Sequence, residues 1–119
     1  EVMQRNLKID LEIEFDRINW SLAEKLVGFE PTGLGNPSPA FCTRGVDVID
    51  ARTVGSDGRH LKLKLKQNSC VFGAIAFGFG ELLTKITPDT KIDIAYAIEV
   101  NTWNGSREIQ LKVKDISIA

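Results

Sequence analysis

The residues best placed to do chemistry lie in one basic stretch, Arg59-His60-Leu61-Lys62-Leu63-Lys64-Leu65-Lys66-Gln67. Leucine and lysine alternate there, and the side chains of a strand point to opposite faces with a period of two. One face is therefore apolar and the other carries Lys62, Lys64 and Lys66. At a rise of roughly 3.3 Å per residue, successive lysines stand about 6.6 Å apart and repel unless an anion lies against them. A neighbouring acidic strand, counterions or a polyanionic ligand would each meet that need. Arg59 extends the run, and His60, the single histidine of the chain, adds charge when protonated below its usual pKa of about 6.5.

Other chemistries find no constellation. One histidine cannot build a metal site alone, and no His/Cys/Asp/Glu spacing resembles one. Asp10, Glu12 and Glu14 alternate with apolar residues, the pattern of a solvated strand face. The serines and cysteines lack a G-x-S-x-G elbow and share a single histidine, which excludes the usual nucleophilic arrangements. Gly33-Leu34-Gly35 lacks the third glycine, the Gly-Lys-Ser/Thr and the following helix that a phosphate loop requires.

The 119 residues, 43% hydrophobic and 26% charged, suit one globular core. No run approaches the roughly 20 apolar residues of a membrane helix, and the first ten residues lack the basic start and apolar centre of a signal peptide. The chain reads as soluble and cytoplasmic, without a membrane partner. Cys42 and Cys70 are too few for a disulfide framework and are expected as reduced thiols. The net charge of −1 argues against binding a polyanion by bulk charge, but residues 31–66 hold six bases and three acids. A local basic face is thus compatible with a mildly acidic domain.

These residues need elements to hold them. Residues 7–15 alternate as a half-buried strand with an acidic outer face. From Asn19 the spacing turns helical, with Ser21 and Glu24 in capping-box form and Gly28 at the end. Residues 29–39, with three prolines and two glycines, form a connector. Residues 1–39 are set apart on this pattern from a β unit over residues 40–119. A long strand over 40–54 carries candidate kinks at Gly45 and Ile49. Gly55 to Gly58 turns the chain into the lysine strand, placing Val48 beside Leu65 and Asp47 beside Lys66, so that one lysine is partly neutralised within the sheet. Asn68-Ser69 turns it out again.

Residues 70–79 are apolar on both faces, which suits a central strand covered on both sides or one bent by its glycines; Phe72, Phe77 and Phe79 are read as core. Gly80 to Ile86 holds a turn or two of helix before Pro88. Strands from Ile92 to Val100 and from Ile109 to Val113 flank the Asn104-Gly105 turn, and Ile116 and Ile118 reverse the phase after Asp115. Three strands, a short helix and two strands is the order of a mainly β protein: a five-stranded Greek-key OB-fold barrel with its helix between strands 3 and 4, preceded by an N-terminal strand and short helix. The lysine strand would be its second. There the lysines either track phosphates or form a solvated face that blocks edge pairing. Trp103, beside the turn at the rim of the expected groove, either stacks on a base or caps the barrel end. Trp20 is read as packing.

Three blocks together resemble the C-terminal domain of the bacterial single-stranded-DNA-specific exonuclease family RecJ. They are Pro31-Thr32-Gly33-Leu34-Gly35-Asn36-Pro37-Ser38-Pro39-Ala40-Phe41, His60-Leu61-Lys62-Leu63, and Asn101-Thr102-Trp103-Asn104-Gly105 with Gln110-Leu111-Lys112-Val113-Lys114-Asp115-Ile116; Ala74-Ile75-Ala76-Phe77-Gly78 is similar as well. Thr32 departs from the family, where an aromatic residue is usual. The resemblance implies DNA repair and recombination as context, and a parent enzyme that degrades single strands from the 5′ end with Mn or Mg in its catalytic core. The Asp-His-His motif of that core is missing from this chain. It implies a noncatalytic, cofactor-free accessory domain with single-stranded DNA as its ligand, for which the pattern and the expected barrel offer Arg59, His60, Lys62, Lys64, Lys66 and Trp103 as the candidate contacts. The alternative is a protein-docking module for the nuclease core or a single-strand-binding protein, using the acidic strand or the Gly33 to Pro39 connector.

Overall fold

A computed structural model describes residues 11–27, 40–87 and 90–118, apart from the side chains of Val27 and Trp103. The expected features at residues 1–10 and 28–39 lie outside the described residues. Alternating apolar residues fold into five long strands, β2 (Phe41–Val54), β3 (His60–Gln67), β4 (Cys70–Ala76), β5 (Lys91–Trp103) and β6 (Ser106–Ile118). They pair in the order β2-β3-β4-β6-β5, and β5 returns to β2. Every pairing around the ring is antiparallel except β4 with β6. With the 3-10 segment Gly80–Lys85 between its third and fourth strands, this closed ring is an OB-fold barrel.

Closure depends on β2, which coils so that one half pairs with β5 and the other with β3. Gly45 has a φ of +68°, inside the left-handed region that glycine enters without steric penalty, and the β2–β5 register shifts between Thr43 and Val46. The second irregularity is a bulge at Ile49: Val48 lies opposite Leu65, then Asp50 opposite Lys64. Asp47 opposes Lys66, the register counted from the turn in the sequence. The phase reversal near Asp115 is also a bulge, since Tyr96 opposes Val113 while Ala95 opposes Asp115. Hairpins at Asn68-Ser69 and Asn104-Gly105 are tight two-residue turns, with φ of +52°, +67° and +49° at Asn68, Ser69 and Asn104.

Ahead of the barrel, the expected strand stops short of Phe15. Among the described residues of that segment β1 (Leu11–Glu12) pairs, parallel to Phe41 and Cys42, and Leu11 is 53% exposed rather than inward. The reason is Phe15. Residues 15–17 turn as a 3-10 segment, which drops the Phe15 ring into the barrel end, fully buried and edge-on to Phe72 at 5.2 Å and Tyr96 at 6.4 Å. The Phe15 amide donates to Gln67 Oε1 (2.7 Å), and Gln67 Nε2 donates to the Arg44 carbonyl (2.8 Å). A short helix follows, α1 (Trp20–Val27). Its cap is Asn19, not Ser21: Asn19 Oδ1 accepts from the Leu22 amide at 2.9 Å, the third N–H of the helix, which a capping residue must reach. Trp20 packs its ring under the Arg107 guanidinium, 5.1 Å from the centroid.

Thr43 is fully buried at the junction of plug and barrel. Its hydroxyl donates to the Ile13 carbonyl at 2.8 Å and lies 2.7 Å from Tyr96 Oη. A hydroxyl has one proton to give, so Tyr96 donates to Thr43 and Thr43 to Ile13. Burial pushes the Tyr96 phenol up to about 12.

Phe15→Ala is expected to cost about 3–5 kcal/mol, the usual loss for a buried phenylalanine, read as a lower urea midpoint at unchanged m-value. Tyr96 gives a second expectation. The folded chain holds its proton more tightly than the unfolded chain, so the stability of the neutral phenol is complete below about pH 10 and is lost as pH rises through about 12. Urea titrations at stepped alkaline pH should show a loss of about 3 kcal/mol, which Tyr96→Phe should lack. Because Tyr96 is the only tyrosine, tyrosinate absorbance reports its ionisation directly.

Candidate nucleic-acid interface

The pleat of β3 sends Leu61, Leu63 and Leu65 into the core and Lys62, Lys64 and Lys66 outward. Across the lysines lie Arg52, Asp50 and Asp47 on β2, and Ile75, Gly73 and Val71 on β4. Among the described residues none of the three lysines joins an ion pair. Asp47, the acid expected to offset Lys66, instead accepts from Lys91 Nζ at 2.6 Å. Other acids are likewise engaged away from this face: Glu12 and Asp93 with Arg44, and Glu14 with the Asn68 amide.

Next to the lysines runs an uncovered apolar strip on β4. Val71 is 47% exposed and Phe77 54%, whereas Phe72 and Phe79 pack against the core. Of the two readings of residues 70–79, a strand covered on both sides or one bent by its glycines, the first is corrected here, as is the reading of Phe77 as core. Ala74 and Ala76 fill the inner face, the strand ends at Ala76, and among the described residues nothing lies over Val71 and Phe77 to bury them. The missed signal was in the sequence. Counting across the Asn68-Ser69 turn pairs Gln67 with Cys70 and puts the odd-numbered residues of β4 on the lysine face.

Beyond β4 the β5–β6 hairpin walls off a groove of about 420 Å³, lined by Lys62, Asn101, Thr102, Ser106, Glu108 and Gln110. Gly73 lies beside this lining, paired with Lys64 on one side and Gln110 on the other. A Cβ there would have only Glu108 Oε2 nearby, at 4.0 Å. Glycine thus leaves open a volume that a side chain would occupy. Asn101 and Gln110 stood in the resembling blocks without a site role, and Glu108 was not singled out, because β4 and β6 meet through a parallel, non-local pairing that no turn specifies.

At one end, His60 lies edge-on to Phe77 with centroids 5.1 Å apart. Its Nδ1 accepts from the Gly78 amide at 2.9 Å, which places the proton of the neutral ring on Nε2. Lys112 Nζ stands 5.9 Å from the Phe77 centroid. The Gly80 amide donates to the Arg59 carbonyl at 3.0 Å, an approach so close that a Cβ on Gly80 would collide with the Gly58 carbonyl. Arg59 itself reaches outward to Asp57 at 3.6 Å, an exposed pair of small energetic worth. Trp103 opposes Ser106 at the β5–β6 turn; its side chain lies outside the described residues.

Among the described residues no three His, Cys, Asp or Glu gather as a metal site, and no helix is long and apolar enough to cross a membrane. Cys42 and Cys70 are free thiols, and burial pushes the Cys42 thiol above its ordinary value, although Arg44 pulls the other way.

A family model described as the RecJ OB domain matches residues 9–115. The chain belongs to the RecJ OB domain family. It is 32% identical over 118 residues to the single-stranded-DNA-specific exonuclease RecJ of Haemophilus influenzae, covering 95% of this chain and 20% of that protein. The RecJ of Bacillus subtilis is 26% identical over 112 residues, covering 94% of this chain and 14% of the relative. The crystal structure of Thermus thermophilus RecJ in complex with Mn2+ superposes with a TM-score of 0.59 at 30% identity, covering 80% of this chain and 13% of that one. The chain therefore spans a fifth or less of each of these RecJ proteins.

Gly73→Val should keep the fold of this RecJ OB domain and raise its melting midpoint by about 2–6 °C, because valine suits a strand better than glycine by up to about 1 kcal/mol. Far-UV circular dichroism checks this; a lower midpoint would show that the volume above Gly73 is not free.

Proposed function

We propose that this chain is the noncatalytic single-stranded-DNA-binding domain of a RecJ-like 5′–3′ exonuclease, holding the strand for the nuclease core in DNA repair and recombination in the cytoplasm. The observation that carries the reading is the row of three lysines without ion pairs among the described residues, beside an open groove and an exposed phenylalanine. Strands 2 and 3 of an OB barrel and the loops beside them commonly bind oligonucleotides. On this face Lys62, Lys64 and Lys66 supply phosphate contacts and Phe77 a stacking surface. Arg59 and Trp103 extend the interface at the two rims, and His60 positions Phe77 and the Gly78 turn. A base stacked on an aromatic side chain contributes about 1–3 kcal/mol.

The second reading, a docking module for the nuclease core or a single-strand-binding protein, draws on the Gly33 to Pro39 connector, which lies outside the described residues, or on the acidic strand of the N-terminal segment. Glu12 and Glu14 there are bound to Arg44 and Asn68 of the barrel, so the DNA-binding reading is favoured.

The isolated chain should bind oligo-dT with an affinity that falls as salt rises. Replacing Lys62, Lys64 and Lys66 together by alanine should flatten the log-log salt slope by about 0.7 for each phosphate no longer neutralised, while Gly73→Val should weaken binding with little change in slope. Fluorescence anisotropy at stepped salt measures both. An alanine triple variant with the parent's affinity and slope would remove the lysine row from the site.

A further inference from the structure

The groove has chemically opposed walls. Lys62 stands on one side and Asn101, Glu108 and Gln110 on the other, across a volume of about 420 Å³, which is in the range of small-ligand sites and admits a base with its sugar. Glu108 Oε2 lies 4.0 Å from the place a Cβ of Gly73 would take. Among the described residues Glu108 joins no ion pair. Asn101 Nδ2 donates to Gln110 Oε1 at 2.6 Å, which fixes the two amides against each other beside the carboxylate. The wall facing Lys62 therefore presents the Glu108 carboxylate as an acceptor that repels phosphate locally, with Lys112 farther along β6.

A single strand meets attraction for its backbone along β3 and local repulsion at Glu108, which favours one facing in the groove: phosphates along Lys62, Lys64 and Lys66, and base edges toward Glu108. We infer that the groove discriminates bases by this edge. A carboxylate accepts a hydrogen bond from the exocyclic N4 amino group of cytosine, whereas thymine presents the acceptor O4 at the same position. Thymine opposite Glu108 sets one acceptor against another, and cytosine satisfies both partners.

The inference rests on the reading of this chain as a single-strand-binding domain, and the experiment separates the two. Affinities for oligo-dC and oligo-dT of equal length are measured by anisotropy on the whole 119-residue chain, at mildly alkaline pH where cytosine is neutral. The expected result is oligo-dC bound about fivefold or more tightly than oligo-dT. Glu108→Ala, at an exposed position, should bring the two within about twofold, weakening oligo-dC and strengthening oligo-dT as the repulsion of phosphate is removed. A carboxylate that acted only through its charge would instead raise both affinities by the same factor and leave their ratio unchanged, which would overturn the inference. Equal affinities in the unaltered chain would overturn it too, while leaving the DNA-binding reading standing. No binding of either oligonucleotide at low salt would overturn the reading on which it rests.

Discussion

One strand has to hydrogen-bond two partners, and the rest of the molecule depends on its doing so. β2 pairs with β5 from Phe41 to Asp47 and with β3 from Asp47 to Val54, and Asp47 belongs to both ladders. A straight strand presents its two edges along one line and cannot curl a five-stranded sheet shut. The irregularities at Gly45 and Ile49 supply the bend, and the barrel then has no free edge between its strands. The phase of β3 follows from that closure. With Val48 opposite Leu65, the leucines must point to the axis, and the lysines have only the outer surface left.

The same geometry reconciles a net charge of −1 with a cationic face. Carboxylates are not scarce in this chain, but those in ion pairs among the described residues are held by other bases. Arg44 gathers Glu12 and Asp93 and Lys91 holds Asp47, all around the N-terminal half of β2. The bases engaged there are Arg44 and Lys91, not the lysines of β3. Exposed pairs of this kind add little stability, so their larger effect is on the distribution of potential, which sets the encounter with a charged partner.

How much of this was legible in the sequence depended on how far apart the interacting residues lie along the chain. Period-two alternation and short turns located β2, β3, β5 and β6, and even the Ile49 bulge, because each is a local pattern of side chains or of backbone freedom. The lysine face was legible for the same reason. What failed involved distant partners. Nothing near Phe15 states that its pocket is built from Phe72 and Tyr96, so the segment read as a longer strand. Phe77 read as core because an apolar run carries no mark of which face is covered, although the two-residue turn before it fixed the side. The Glu108 wall was invisible, since the parallel pairing of β4 with β6 appears only when the ring closes.

The plug formed by Phe15 has a consequence for how the chain matures. Synthesis runs from the N-terminus, so Phe15 emerges long before Tyr96, the ring it must pack against. At about 5–20 residues per second, the interval between residues 15 and 96 lasts on the order of 4–16 seconds. During that time the phenylalanine has no pocket and the Ile13 carbonyl has no Thr43–Tyr96 pair to receive it. The residues that seal the barrel end are thus made well before the ring and the hydroxyl pair that complete their pocket.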